Sequence, residues 1–188
     1  MLTANAAWNI LNFRRPLVEA LLQDGNIVSV FAPSDTSVPA LKSLGCHFIP
    51  LEMDAKGLNP VGGPQLLLQY YRRLRVDRPD VILSYTIKNN IFGAMAASWL
   101  DIPFVPNITG LGTAILSRGR LRSIAEILYR LCFRRSHVVF FQNEEDLGYF
   151  TERRLVRQKQ TRLLPGSGID LVHFMPTHSR LPMDQRYS

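Results

Sequence analysis

The sequence predicts a doubly wound α/β domain built on a parallel sheet. Two observations carry this. Apolar runs of four to six residues alternate with longer segments whose apolar residues recur at helical spacing. The short runs are apolar at nearly every position rather than at alternate ones, as strands covered on both faces are.

The elements follow in order. Residues 1–4 read as the stub of a first strand. Phe13, Leu17, Leu21 and Leu22 form a stripe over residues 13–23, which Asp24-Gly25 ends. Residues 27–32 (IVSVFA) and 47–51 (HFIPL) are β-rich runs. Leu66, Leu67, Tyr70, Tyr71 and Leu74 form the next helical stripe. Residues 81–85 (VILSY) make a strand after the Pro79-Asp80 turn, and the alanine-rich residues 90–100 a buried helix. Phe104–Ile108 follows Pro103 as a strand, and helical spacing then runs from Leu121 to Cys132. Residues 138–141 (VVFF) form the most apolar strand. Asn143 opens the next helix as its cap, and Glu144, Glu145 and Asp146 suit the positive end of its dipole. A weaker strand covers 161–164, so residues 1–175 read as one domain and the polar residues 176–188 as a linker or the start of a second domain.

With 188 residues, 46% of them hydrophobic, the chain is long enough for one domain with a real core. A charged fraction of 20% argues against disorder. The net charge of +7 favours anionic partners. Cys46 and Cys132 stand alone and read as small buried hydrophobes in a reducing compartment. No run of 18 apolar residues spans a bilayer, and the N-terminus lacks a signal-peptide pattern, so the cytosol is the expected location. The four histidines are scattered, no nucleophile elbow or H-E-x-x-H is present, and no metal site is expected.

In a doubly wound sheet, ligands bind beyond the carboxyl ends of the strands, so the loops there are the candidate site. The first is residues 5–9, with Asn5, Trp8 and Asn9, whose backbone N–H groups face an anionic ligand if the loop opens a helix. The second brings Tyr85, Thr86, Lys88, Asn89 and Asn90, groups suited to sugar hydroxyls and phosphate oxygens, although Asn89 also reads as a helix cap. The third holds Thr109, Gly110, Leu111 and Gly112, with glycines for close approach and no P-loop lysine.

A basic stretch follows. Residues 118–135 hold six arginines against one acid, Glu126. Arg134 and Arg135 lie at a helix C-terminus, where cations are favourable. Arg118, Arg120 and Arg122 oppose the dipole at its start, which points to an anion there, a pyrophosphate or a lipid headgroup. Gly166, Ser167, Gly168, Ile169 and Asp170 make a tight turn out of the sheet. A nucleic-acid partner is not expected, because no aromatic stacking positions interleave with the basic run.

Five segments, in order and spacing, resemble the retaining GT4 glycosyltransferases of the GT-B fold, over about residues 1–176. They are NFRRPL at 12–17, LNP at 58–60, YTIKNNIFG at 85–93, TGLG at 109–112 and GSGID at 166–170, with Phe174 and Pro176 beyond. The resemblance is greatest to bacterial enzymes that extend undecaprenyl-pyrophosphate-linked glycans for capsule, O-antigen or protein glycosylation. It implies the N-terminal, acceptor-side half of a two-domain enzyme. The donor half, with the family's pair of glutamates, is expected to lie outside this chain, leaving the chain inactive alone. The implied reaction moves a sugar from a nucleotide sugar, UDP-linked by expectation, with retention and without cofactor or metal. The implied partners are that donor, a lipid-linked glycan acceptor and the anionic inner face of a bacterial cytoplasmic membrane. Residues 166–170 then lie near the donor, at the crossing between domains. Ile87 stands where some relatives carry a histidine, so the catalytic residue is unknown. The rival reading is a non-catalytic module that recruits acceptor or membrane for a separate donor-binding chain.

Overall fold

The computed structural model describes residues 1–53, 62–111, 120–164 and 166. Leu58 to Pro60, Gly112, Arg118 and Ser167 to Asp170, singled out above, lie outside them, as do the side chain of Arg120 and residues 176–188.

Among the described residues the chain runs β1 (Leu2–Thr3), α1 (Ala7–Gln23), β2 (Ser29–Ala32), α2 (Val38–Ser43), β3 (His47–Pro50) and α3 (Gly62–Asp77). It continues with β4 (Ile82–Tyr85), α4 (Ile87–Trp99), β5 (Phe104–Ile108), α5 (Arg120–Phe133), β6 (Val139–Phe141), α6 (Glu144–Glu152) and β7 (Thr161–Leu163). All seven strands pair in parallel, in the order β3-β2-β1-β4-β5-β6-β7. The predicted doubly wound sheet is therefore present. The chain winds outward from β1 to β3, crosses back through α3, and winds the other way from β4 to β7. The reversal lies between β1 and β4, which places the switch-point crevice beyond their carboxyl ends.

Two cores flank the sheet. One joins Ile82, Phe104, Ile108, Val139 and Phe141 to α3–α6, with Tyr70, Tyr129 and Phe150 fully buried. Gly93 permits this packing. A Cβ there would lie 2.9 Å from the Phe104 ring and 3.2 Å from Tyr70, so the glycine lets α4 approach β5. The other core joins Leu2, Val30 and Tyr85 to α1 and α2. Cys46 and Cys132 are buried and free, as expected. Burial holds the Cys132 thiol up at about 12 and also raises Cys46.

Two helices differ from the sequence reading. α1 starts at Ala7, six residues before the predicted stripe, and its core face is Ala7, Ile10, Arg14 and Val18, whereas Phe13 and Leu17 are exposed. An arginine on the inner face shifts the apparent apolar phase, and periodicity cannot recognise it. α4 starts at Ile87 rather than Asn90. Asn89 is therefore not its cap: Thr86 holds that place and Asn89 lies inside the first turn. α6 follows the prediction, with Asn143 Oδ1 accepting from the Asp146 N–H at 2.7 Å.

Candidate functional site

The loops after β1, β4 and β5 meet at the carboxyl edge of the sheet, around the switch point. Thr86 leaves β4 with φ +73° and ψ 148°. That region is essentially reserved for glycine, so a β-branched residue there stores strain of about 1–3 kcal/mol. Its backbone carbonyl accepts from Asn90 N–H at 2.9 Å, while its buried hydroxyl has no partner among the described residues.

Beneath this turn lies a set of buried polar groups. Asn89 is 0% exposed and neither atom of its amide has a partner among the described residues. Asn90 donates from Nδ2 to the Asn107 carbonyl at 3.0 Å, tying α4 to β5. Asn90 Oδ1, Asn107 Oδ1 and Ser84 Oγ have no partner among the described residues. Burying a polar group without a partner costs roughly 1–3 kcal/mol, so this concentration makes the carboxyl edge the candidate site.

Arg14 completes the arrangement, and the sequence reading missed it. It is 7% exposed and its guanidinium lies over the Tyr85 ring, 4.3 Å from the centroid. Its Nη1 donates to the Phe13 carbonyl at 2.9 Å, while Nε has no partner among the described residues. Burial lowers the Arg14 pKa and Tyr85 opposes that shift; burial raises Tyr85, and Arg14 opposes it in turn. A guanidinium stays charged regardless. A buried cation therefore lies on the last residue of β4, one of the two strands that flank the switch point. The motif NFRRPL contained the residue; nothing in its pattern told the buried Arg14 from the exposed Arg15.

The first loop behaves differently from expectation. Trp8 and Asn9 belong to the first turn of α1, leaving Asn5 in the loop. The N–H of Trp8 donates to Asp35 Oδ2 at 2.8 Å and that of Ala7 to the Pro33 carbonyl at 3.2 Å. A carboxylate of this chain thus satisfies the positive end of α1, so these N–H groups do not face an anionic ligand. Asn9 Nδ2 donates to Asn5 Oδ1 at 3.4 Å, and Trp8 packs edge-on against Phe13 and is half exposed. In the third loop Thr109 is exposed and Gly110 has φ +153°, while Leu111 packs against the larger core. Lys88 is half-buried in the first turn of α4. Arg122 lies in the first turn of α5, near enough to Tyr149 to act on its phenol. Tyr149 in turn donates to Glu126 at 2.6 Å. Among the described residues no group of three or more His, Cys, Asp or Glu converges, and no helix is long and apolar enough to cross a membrane.

The family model described as "Glycosyl transferase 4-like domain" matches residues 12–166. The chain belongs to that family. A curated relative, the N,N'-diacetylbacillosaminyl-diphospho-undecaprenol α-1,3-N-acetylgalactosaminyltransferase of Campylobacter jejuni, is 28% identical over 180 residues, covering 93% of this chain and 48% of the relative. The chain thus spans about half the length of that protein. Among solved structures, a glycosyltransferase from Rickettsia africae matches with TM-score 0.66 and 11% identity, covering 94% of this chain and 45% of that one. HepE of Anabaena, solved with UDP and glucose, matches with TM-score 0.63 and 13% identity, covering 91% and 44%. MurG of Acinetobacter baumannii matches at 0.56 and 15%, covering 92% and 46%. These likenesses support the fold, and the family membership agrees with the resemblance read from the five segments.

Proposed function

We propose that this chain is the acceptor-side domain of a retaining glycosyltransferase that moves a sugar from a UDP-linked donor to a polyprenyl-diphosphate-linked glycan. The observation that carries this reading is the strained Thr86 turn at the switch point, beside the Asn89 amide and the Oδ1 atoms of Asn90 and Asn107, which have no partner among the described residues. Amides offer both donors and acceptors, which match sugar hydroxyls. Family membership and the printed activity of the Campylobacter relative support the same class.

In this reading Thr86, Lys88, Thr109 and Gly110 line the acceptor cleft, with Asn5, Trp8, Asn9, Leu111 and Gly112 at its edge. Tyr85, Asn89 and Asn90 hold its floor, and Arg14 joins them from α1. Arg118, Arg120 and Arg122 meet the acceptor diphosphate or anionic headgroups at the inner face of the cytoplasmic membrane. Residues 1–175 make one domain, and residues 166–170 lead towards a donor domain, with 176–188 as the linker to it or its start. These residues orient an acceptor hydroxyl and exclude water; the leaving diphosphate is held by the other domain, and no metal is required.

The test joins this chain to the donor half of the Campylobacter relative. The expected result is EDTA-insensitive transfer of radiolabelled sugar from a UDP-sugar to an undecaprenyl-diphosphate-linked acceptor by the chimera, and none by the chain alone. Micromolar binding of UDP-sugar to the isolated chain, measured by calorimetry, would contradict the division of labour. A folded chimera that binds the lipid-linked acceptor but transfers nothing would favour the recruiting-module reading.

A further inference from the structure

The basic residues of this chain meet water in two different ways. At the amino edge of the sheet they stay in solvent. Arg134 and Arg135, at the end of α5, and Arg157 and Lys159, before β7, rim an open cavity of about 960 Å³. Its walls are apolar, with Ala94, Ile102, Phe104 and Val105 among them, and all four cations are exposed. Water and salt screen charges of that kind. Arg14 is the exception. Among the described residues it is the one lysine or arginine that is buried.

Its charge is not neutralised from within the chain. No carboxylate pairs with Arg14 among the described residues, whereas Arg15, Arg73, Arg135 and Arg153 each have one. The groups that do touch Arg14 are neutral. Nη1 donates to the Phe13 carbonyl at 2.9 Å, and Nε, closed off from solvent, has no partner among the described residues. The Tyr85 ring offers its electron-rich face, with its centroid 4.3 Å from the guanidinium carbon. Burial pushes the Tyr85 phenol above its ordinary value, so it keeps its proton and brings no negative charge. A cation–π contact recovers part of the cost of drying a cation, and an opposite charge recovers more. An apolar side chain would fill the same space without that cost, so packing does not account for an arginine here.

The location indicates where an opposite charge belongs. Tyr85 is the last residue of β4, Thr86 leaves the strand in its strained conformation, and Lys88 follows in the first turn of α4. Arg14 shares the inner face of α1 with Ala7, Ile10 and Val18, which sets its charge against the base of that turn. The positive end of α1 does not serve instead, because Asp35 Oδ2 occupies it through the Trp8 N–H at 2.8 Å.

We infer that Arg14 determines the class of acceptor: its unneutralised charge, acting across the Tyr85–Thr86 turn rather than by contact, selects an acceptor that carries a diphosphate over an uncharged one. The inference rests on the acceptor reading proposed above and adds to it the residue that reads the acceptor's charge. A charge held in a low-dielectric wall is felt further and screened less by salt than one in water. The contribution of Arg14 therefore persists at salt concentrations that silence the exposed arginines.

The test is titration of the whole chain with geranyl diphosphate and with geraniol, at low and high salt. The two probes share one apolar body and differ in charge. The wild type should bind the diphosphate more tightly. Arg14→Met fills the space without the charge. It should weaken geranyl diphosphate about tenfold at either salt, the order expected of one partly shielded charge acting without contact, and leave geraniol unchanged. Arg14→Gln, neutral but able to donate, should behave in the same way. Arg14→Lys keeps the charge and should recover most of the loss. Melting curves of the three variants separate lost selection from lost fold. Equal losses for both probes make Arg14 a packing residue and overturn the inference. So does an unchanged diphosphate affinity in the methionine variant, or a wild type that does not prefer the diphosphate. A methionine variant that loses affinity for UDP rather than for geranyl diphosphate assigns the charge to the donor and also overturns it. Transfer by the chimera is measured separately. A chimera that transfers sugar while these titrations show no selection leaves the acceptor reading standing and this inference refuted.

Discussion

The two ends of the same strands solve opposite problems. At the carboxyl edge, polar groups are taken out of water and left incompletely paired among the described residues: Thr86 is strained, Asn89 is fully buried, and Arg14 lies on Tyr85 from the inner face of α1. At the amino edge, cations stay in solvent around apolar walls, and Ser136 is the unpaired buried group. The first arrangement keeps its interactions in a low dielectric, where they are directional and little screened by salt. The second is long-ranged and weakened by salt.

The largest expected effect tests whether Arg14 belongs to the carboxyl edge's chemistry or only to its packing. Arg14→Ala removes a desolvated cation–π contact and leaves a cavity, and should cost about 2–4 kcal/mol. At roughly 2–4 °C per kcal/mol for a chain of this size, the melting temperature falls by about 4–16 °C. Arg14→Met fills the space without the charge and should melt within a few degrees of wild type, since a buried charge is often replaced by an apolar group at little cost. If Arg14→Met also keeps full transfer in the chimera, the arginine is structural and the carboxyl edge loses its buried cation as a functional element.

Next comes pH, which acts on the larger core. Burial raises the folded-state pKa of Cys132 from 9.0 to about 12, and raises Tyr70 and Tyr129 as well. These groups keep their protons when folded and lose them when unfolded, so stability is full below about pH 9 and falls as pH rises from there to about 12. Denaturant midpoints at pH 7, 9 and 10.5 should decrease in that order, and Cys132→Ala should flatten the first part of the decline. A midpoint that rises with pH contradicts the burial of these groups.

A smaller effect of opposite sign is expected at Thr86. Thr86→Gly releases the backbone strain but adds chain entropy to the unfolded state, for a net stabilisation of about 1 kcal/mol. The melting temperature should rise by about 2–4 °C while the chimera loses transfer, because the turn no longer holds Lys88 and the amides in place. A destabilised Thr86→Gly removes the argument from strain.

Much of this was legible in the sequence. Strand positions followed from apolar runs, and the switch-point loops from their order. The cap at Asn143 and the buried cysteines needed only local chemistry. What was not legible depends on contacts distant in sequence. Arg14 reads as a surface residue until Tyr85 is brought beneath it, 71 positions away. Asn89 reads as a cap until α4 is seen to start at Ile87. The N–H groups of the first loop read as free until Asp35 arrives from the loop after β2. The amino-edge cavity was hidden because Arg134 and Arg135 have a sufficient local explanation, and only the tertiary fold adds Arg157 and Lys159.

The smallest effect separates unpaired polar atoms that mark a site from those that do not. Tyr129 is fully buried in the core between the two edges, packed against Phe133 and Phe150, and its hydroxyl has no partner among the described residues. No ligand reaches this interior, so the hydroxyl is a desolvation cost without return, and Tyr129→Phe should stabilise by about 0.5–1 kcal/mol. Tyr70 is the control. Its hydroxyl is equally buried but bonded to Thr3 Oγ1, so Tyr70→Phe strands the threonine and should destabilise by about 1–2 kcal/mol. Melting temperatures moving in opposite directions would place Tyr129 apart from Asn89, whose replacement by leucine should instead cost transfer. If Tyr129→Phe destabilises as Tyr70→Phe does, the Tyr129 hydroxyl has a partner in solution. The unpartnered atoms at the carboxyl edge must then be weighed as ordinary core polarity rather than as a waiting site.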